Sequence, residues 1–135
     1  MSESEVKVRA LVAGHGDFAS GIVSAVGQIT GRGDAFITLS NRDMSAADVE
    51  RVMREHVDAS ALEVIFTDLP AGSCTMAARR LQRERPAVVL VTGTNLATLL
   101  DFVFHTDVPA SEAARHSAEK GRAALVVTGG APSGN

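Results

Sequence analysis

Short, nearly continuous apolar runs alternate along this chain with stretches in which apolar residues recur at helical spacing. Val6 to Ala13 reads as a buried strand. Over residues 18–30, Ile22, Val23, Val26 and Ile29 share one helical face, and the Gly31-Arg-Gly33 corner ends that helix. Ala35 to Leu39 reads as a second strand. Ser45-Ala-Ala-Asp48 has the form of a capping box, with Asp in place of the usual Glu or Gln. Val49, Val52, Met53 and Val57 make the buried stripe of the helix it opens. Leu62 to Thr67 is a third strand, followed by the loop Asp68-Leu-Pro-Ala-Gly-Ser73 and a helix over 73–84 that stops before Pro86. Ala87 to Thr92 is a fourth strand. Asn95 is placed to cap a helix in which Leu96, Leu99, Leu100, Val103 and Phe104 keep the i, i+3, i+4, i+7, i+8 pattern. Ser111 is placed to cap a last helix reaching Gly121; Ala123 to Thr128 reads as a short fifth strand, and 129–135 as a flexible tail.

Four βα units with apolar strands predict a parallel sheet covered by helices on both faces. Right-handed crossovers at this length give an α/β, flavodoxin-like three-layer sandwich with strand order 2-1-3-4, one domain over residues 1–128. Sites in such folds lie at the carboxyl ends of the strands. Three loops are expected at that edge: Gly14–Asp17, Asp68–Ser73 and Gly93–Asn95.

Composition removes several classes of function. The 135 residues are 45% hydrophobic, enough for one domain with a real core. Aromatics are only 4%, with no Trp or Tyr, which argues against a stacking platform and against nucleic acid as a partner. A formal net charge of −3 points to no polyanion. No apolar run approaches the roughly 18 residues of a membrane span. The opening Met-Ser-Glu-Ser-Glu-Val-Lys lacks the features of a signal peptide, and the single Cys74 cannot form an internal disulfide. A soluble cytoplasmic chain is expected, meeting the membrane only through a partner.

The candidate chemistry centres on His15, in the Gly14-His15-Gly16 corner between the first strand and the first helix. In a 2-1-3-4 sheet the first and third strands are neighbours, which brings Asp68 beside it. A carboxylate accepting from one ring nitrogen leaves the other as nucleophile or base. Ala71-Gly72-Ser73 opens a helix and can offer backbone N–H groups and a hydroxyl to an anion, although it is too short for a P-loop and lacks its Lys. Each feature also has a plain structural reading: an idle histidine in a turn, and an ordinary βα loop with Ser as its cap.

Taken together, Gly14-His15-Gly16-Asp-Phe-Ala19, Asp68-x-x-x-Gly72-Ser73 and Gly93-Thr-Asn95-Leu resemble the enzyme IIA domain of the mannose family of the bacterial phosphotransferase system, over roughly residues 6–127. The resemblance implies that His15 takes a phosphoryl group from the phosphocarrier HPr and passes it to a IIB domain during sugar import. It implies that Asp68 orients and stabilises the imidazole, and that Gly72 and Ser73 bind the phosphoryl group. It further implies a homodimer whose last strand, here Ala123–Thr128, is exchanged between subunits, and a link to the membrane only through a IIC/IID transporter. No cofactor is implied. The chain departs from the family in reading Ala71-Gly72-Ser73-Cys74-Thr75-Met76 where Gly-Gly-Ser-Pro is common, and in following Asn95 with Leu-Ala.

The remaining candidates read as structural. No carboxylate pair lies on adjacent strand ends and no spaced His/Cys set is visible, so no metal site is expected. His56 belongs to the apolar face of its helix, His105 to a helix end where a cation suits the dipole, His116 to a solvated face, and Cys74 to packing. Arg79, Arg80, Arg83 and Arg85 form a basic run that reads as a solvated face, with docking to an acidic partner as the sharper alternative. Two competing functions stand beside the carrier: a regulatory phosphohistidine module coupled to no transporter, and a receiver-like or ligand-binding flavodoxin-type domain, with Asp68 as phosphoacceptor or with no phosphorylation. The second lacks the acidic cluster and Lys that a receiver's Mg²⁺ chemistry needs.

Overall fold

The computed structural model describes residues 7–131; Val6 of the expected first strand and residues 132–135 of the expected tail lie outside them. The chain folds as β1 (Ala10–Gly14), α1 (Phe18–Thr30), β2 (Phe36–Ser40), α2 (Ala46–Ser60), β3 (Val64–Thr67), α3 (Ser73–Glu84), β4 (Val89–Val91), α4 (Leu96–Phe104) and α5 (Ala110–Ala123). A 3-10 turn, Gly33–Ala35, leads into β2. The sheet is parallel in the order β2-β1-β3-β4. Ala10 of β1 pairs with Phe36, and Leu11 pairs with both Ile37 and Ile65, so β1 is the central strand on which the site is built.

The strands are buried on both faces, and their side-chain alternation separates two cores. Ala10, Val12, Val64 and Phe66 face Val26 of α1, Leu99, Phe102 and Val103 of α4, and Ala113 and Ala114 of α5. Leu11, Ala13 and Ile65 face Val49, Met53 and Val57 of α2 and Ala77, Ala78 and Leu81 of α3. Phe36, Phe66 and Phe102 interlock with ring centroids 5.1–6.2 Å apart. Truncating a fully buried ring such as Phe66 would cost about 3–5 kcal/mol.

Local signals set the helix starts. The Ser45/Asp48 capping box forms in both directions: Ser45 Oγ accepts from Asp48 N–H, and Asp48 accepts from Ser45 N–H. Asn95 caps α4 by accepting from Thr98 N–H. The last helix instead begins at Ala110, just after Pro109, with Ser111 inside it.

The expected fifth strand does not form. Ala123 is the last residue of α5, and the backbone beyond it makes no ladder with the sheet. Leu125, Val126 and Val127 are 83%, 68% and 92% exposed. The β-forming composition is real, but a strand needs a partner edge, and this segment finds none among the described residues. Strands β1, β3 and β4 are also shorter than the apolar runs that announce them.

Candidate functional site

The chain leaves β1 at Gly14 and turns at once. Gly14 is buried, and a Cβ there would stand 2.8 Å from Asp68 Oδ2 and 2.7 Å from the Phe18 ring. Glycine is therefore what lets the end of β3 approach the end of β1. Across that gap Asp68 Oδ2 accepts from the His15 backbone N–H at 2.9 Å and meets His15 Nδ1 at 2.8 Å. The His15 side chain is 50% exposed and that of Asp68 only 11%.

This carboxylate is held on one side only. Its Oδ1 is buried with no hydrogen-bond partner among the described residues. Burial works to raise the Asp68 carboxyl, but the His15 backbone N–H and imidazole outweigh it, and the net direction is down. Asp68 is thus an anion at neutral pH. With Nδ1–H donating to Asp68, the imidazole lone pair lies on Nε2.

The third part of the site is the start of α3. Gly72 precedes the helix at φ +104°, a conformation open to glycine, and a Cβ there would lie 3.0 Å from His15 Cε1 and 3.5 Å from Nε2. The imidazole therefore sits against the helix N-terminus. No side chain caps that terminus and no acidic residue occupies its first turn. Its leading N–H groups and dipole favour an anion beside His15. Ser73 Oγ accepts from Asn41 Nδ2 at 2.8 Å, which leaves the Ser73 hydroxyl hydrogen free to donate. Asn41 is in turn tied to the first loop, its N–H donating to the Gly14 carbonyl. Thr75 anchors the Asp68–Ser73 loop from below, donating to Leu69 O at 2.6 Å beside buried Thr67.

All four residues expected at the site, His15, Asp68, Gly72 and Ser73, therefore come together. The Gly93–Asn95 loop reaches the same sheet edge, but the Asn95 side chain is committed elsewhere: it caps α4 and donates to Gly121 O at 2.8 Å. Asn41 and Arg42 are additions from the structure. Arg42 pairs with Asp17 at 3.1 Å and lies close to Gly16. Both directly follow β2, and a polar pair at a strand's carboxyl end is the signal that points to them.

The other candidates separate cleanly. Burial pushes the Cys74 thiol up to about 11, so it stays protonated and serves packing. Arg80 binds Glu50 at 2.6 Å and Arg85 binds Asp58 at 2.9 Å, which makes the basic run partly a seam between α3 and α2. His116 is not free on a solvated face: it pairs with Asp101, beside His105. Among the described residues no helix is long and apolar enough to cross a membrane.

Fold and site together define a flavodoxin-like α/β domain with an accessible histidine, backed by a carboxylate and a helix N-terminus, at the carboxyl edge of its sheet. A family model described as "PTS system fructose IIA component" (EIIA-man) matches residues 9–119, and the chain belongs to that family, the mannose-type IIA components of the phosphotransferase system. Among solved structures it is similar to a phosphotransferase system component EIIA from Streptococcus agalactiae (20% identity, 88% of this chain and 95% of that one, TM-score 0.78). It is also similar to a mannose/sorbose-specific IIA subunit from Enterococcus faecalis (19%, 92% and 96%, 0.76). A third likeness is to a IIA protein associated with the fucose utilization operon of Streptococcus pneumoniae (24%, 88% and 91%, 0.73). At these identities the likeness carries the fold. No curated protein matches.

Proposed function

We propose that this chain is a cytoplasmic phosphoryl carrier that accepts a phosphoryl group on His15 from phospho-HPr and passes it to a IIB domain for sugar import. The observation that supports this most is the 2.8 Å contact of His15 Nδ1 with Asp68, with the opposite side of the ring at the uncapped start of α3. His15 Nε2 attacks phosphorus; the new N–P bond forms as the bond to the donor's imidazole breaks. The His15 ring then carries Nδ1–H and Nε2–P together and is cationic, and the Asp68 carboxylate stabilises it. Ser73 and the first N–H groups of α3 hold the phosphoryl oxygens, so the protein acts by positioning and electrostatics. The reverse sequence hands the group to the acceptor.

Exposure suits exchange between proteins. The His15 ring is half accessible; Leu69 in the Asp68–Ser73 loop and Met76 in the first turn of α3 are 52% and 46% exposed. Arg42 adds a cation to the same rim. The domain spans residues 1–128, with 129–135 as a tail. In the homodimer of this reading, Leu125–Val127 pairs with the open edge of β4 in the partner subunit, which accounts for three exposed apolar residues in a row. Contact with the membrane is indirect, through a IIC/IID transporter.

Incubation with phosphoenolpyruvate, enzyme I and HPr tests the reading. The expected result is an acid-labile, alkali-stable phosphate that His15→Ala abolishes. Equal labelling of His15→Ala rejects His15 as the acceptor.

A further inference from the structure

A second cluster of chemically active side chains lies far from His15. Helix α4 starts at the carboxyl edge of the sheet and runs to the opposite edge, where Arg9, just before β1, donates to the carbonyls of Phe102, His105 and Val108. In this last part of α4, Asp101 and His105 lie one helical turn apart, and α5 packs His116 against them. His116 Nδ1 stands 2.8 Å from Asp101 Oδ2, and His105 Nδ1 stands 3.5 Å from the same oxygen. The two imidazole centroids are 4.3 Å apart. One donor atom from each of the three side chains falls within 4.8 Å of the other two.

We propose that Asp101, His105 and His116 form a binding site for a divalent first-row transition ion such as Zn²⁺ or Ni²⁺. Two imidazoles and one carboxylate are a mixed nitrogen and oxygen set, which suits these ions and not Mg²⁺ or Ca²⁺. Three donors ~2.0–2.2 Å from one ion lie roughly 3–3.5 Å apart. The cluster therefore needs to contract by little more than an ångström. The two histidines have room for this: His105 is about one-third exposed and His116 about half. The supporting contacts are present as well. Arg9 holds the backbone at His105 by donating to its carbonyl, and the 2.9 Å contact of His105 Nδ1 with the Asp101 carbonyl keeps the ring beside the cluster until the ion takes that nitrogen. The site closes the end of α4, where the helix dipole favours a cation. Water would complete the coordination shell on the open side.

Bound there, the ion cross-links the last turn of α4 to the middle of α5. It lies on the face of the molecule remote from His15 and shares no residue with that site. The proposal is therefore independent of the phosphoryl reading.

The test uses the full chain without a polyhistidine tag. Ni²⁺ is titrated while long-range ¹H–¹⁵N spectra follow all four imidazoles, and Zn²⁺ affinity is measured by calorimetry. The expected result is one ion per chain, with His105 and His116 broadened before His15 and His56. His116→Ala should lower Zn²⁺ affinity by about 10-fold or more. His116→Gln, which keeps the helix surface polar, should do the same while leaving the metal-free amide spectrum unchanged. First broadening at His15, equal affinity in wild type and both variants, or no response up to ~1 mM ion would each overturn the assignment and leave the cluster as an ion pair between two helices.

Discussion

His15 Nδ1 stands 2.8 Å from Asp68 Oδ2 at the carboxyl edge of the sheet, and His116 Nδ1 stands 2.8 Å from Asp101 Oδ2 at the amino edge. Exposure matches too: 50% and 11% for the first pair, 49% and 15% for the second. The pairs differ in what surrounds them. The Asp68 carboxylate also takes the His15 backbone N–H, and the ring it orients faces the uncapped N-terminus of α3. The Asp101 carboxylate faces a second imidazole near the C-terminal end of α4. A helix start draws anions and a helix end draws cations. In the proposed roles the same two side chains serve an anion site in one place and a cation site in the other, and the local backbone decides which.

The largest expected effect separates the pairs by function. Asp68→Asn keeps the shape of the side chain but removes the charge that fixes the His15 tautomer. Phosphoryl uptake from phospho-HPr should fall on the order of 10²-fold or more in rapid-quench assays. Asp101→Asn should leave that rate unchanged, and a matching loss there would break the contrast.

Next comes the packing that holds the second pair together. A Cβ on Gly121 of α5 would overlap Thr98 Oγ1 of α4, beside Asn95. Gly121→Ala should cost about 1–3 kcal/mol in urea unfolding, with uptake rates preserved well below the melting temperature. Gly72→Ala should show the opposite pattern. Its φ of +104° and its 3.0 Å approach to His15 Cε1 place the strain at the first pair. A loss of about 1 kcal/mol in stability should accompany a roughly 10-fold slower uptake.

Acid sensitivity is a smaller effect with a defined sign. The folded Asp68 carboxyl lies below its ordinary value, so its contribution to stability is complete above about pH 4 and is lost as pH falls through the folded value. Between pH 5 and 3 by thermal melting, Asp68→Asn should lose less stability than wild type. The smallest effect is that of His116→Ala without metal, under about 1 kcal/mol for an exposed pair.

Much of this arrangement was legible along the chain. The strand and helix order, the Ser45/Asp48 box, the Asn95 cap and the approach of Asp68 to His15 follow from periodicity, capping chemistry and the neighbouring of β1 and β3. The illegible parts depend on contacts between distant segments. Asn41 reaches Ser73 across 32 residues, and nothing local to either marks the bond. His116 meets Asp101 only because α5 packs on α4; the Asp101/His105 spacing of one helical turn is the single local hint. The segment Ala123–Thr128 has the composition of a strand, but composition supplies no partner edge, and in the isolated chain the segment stays unpaired.

In the proposed carrier, Asp68 occupies Nδ1 of His15 and leaves Nε2 to react. Long-range ¹H–¹⁵N spectra of the chain phosphorylated through HPr test it directly. A single phosphohistidine is expected, at residue 15, with phosphorus on Nε2 and a proton on Nδ1. Phosphorus on Nδ1, or on any other residue, would contradict it.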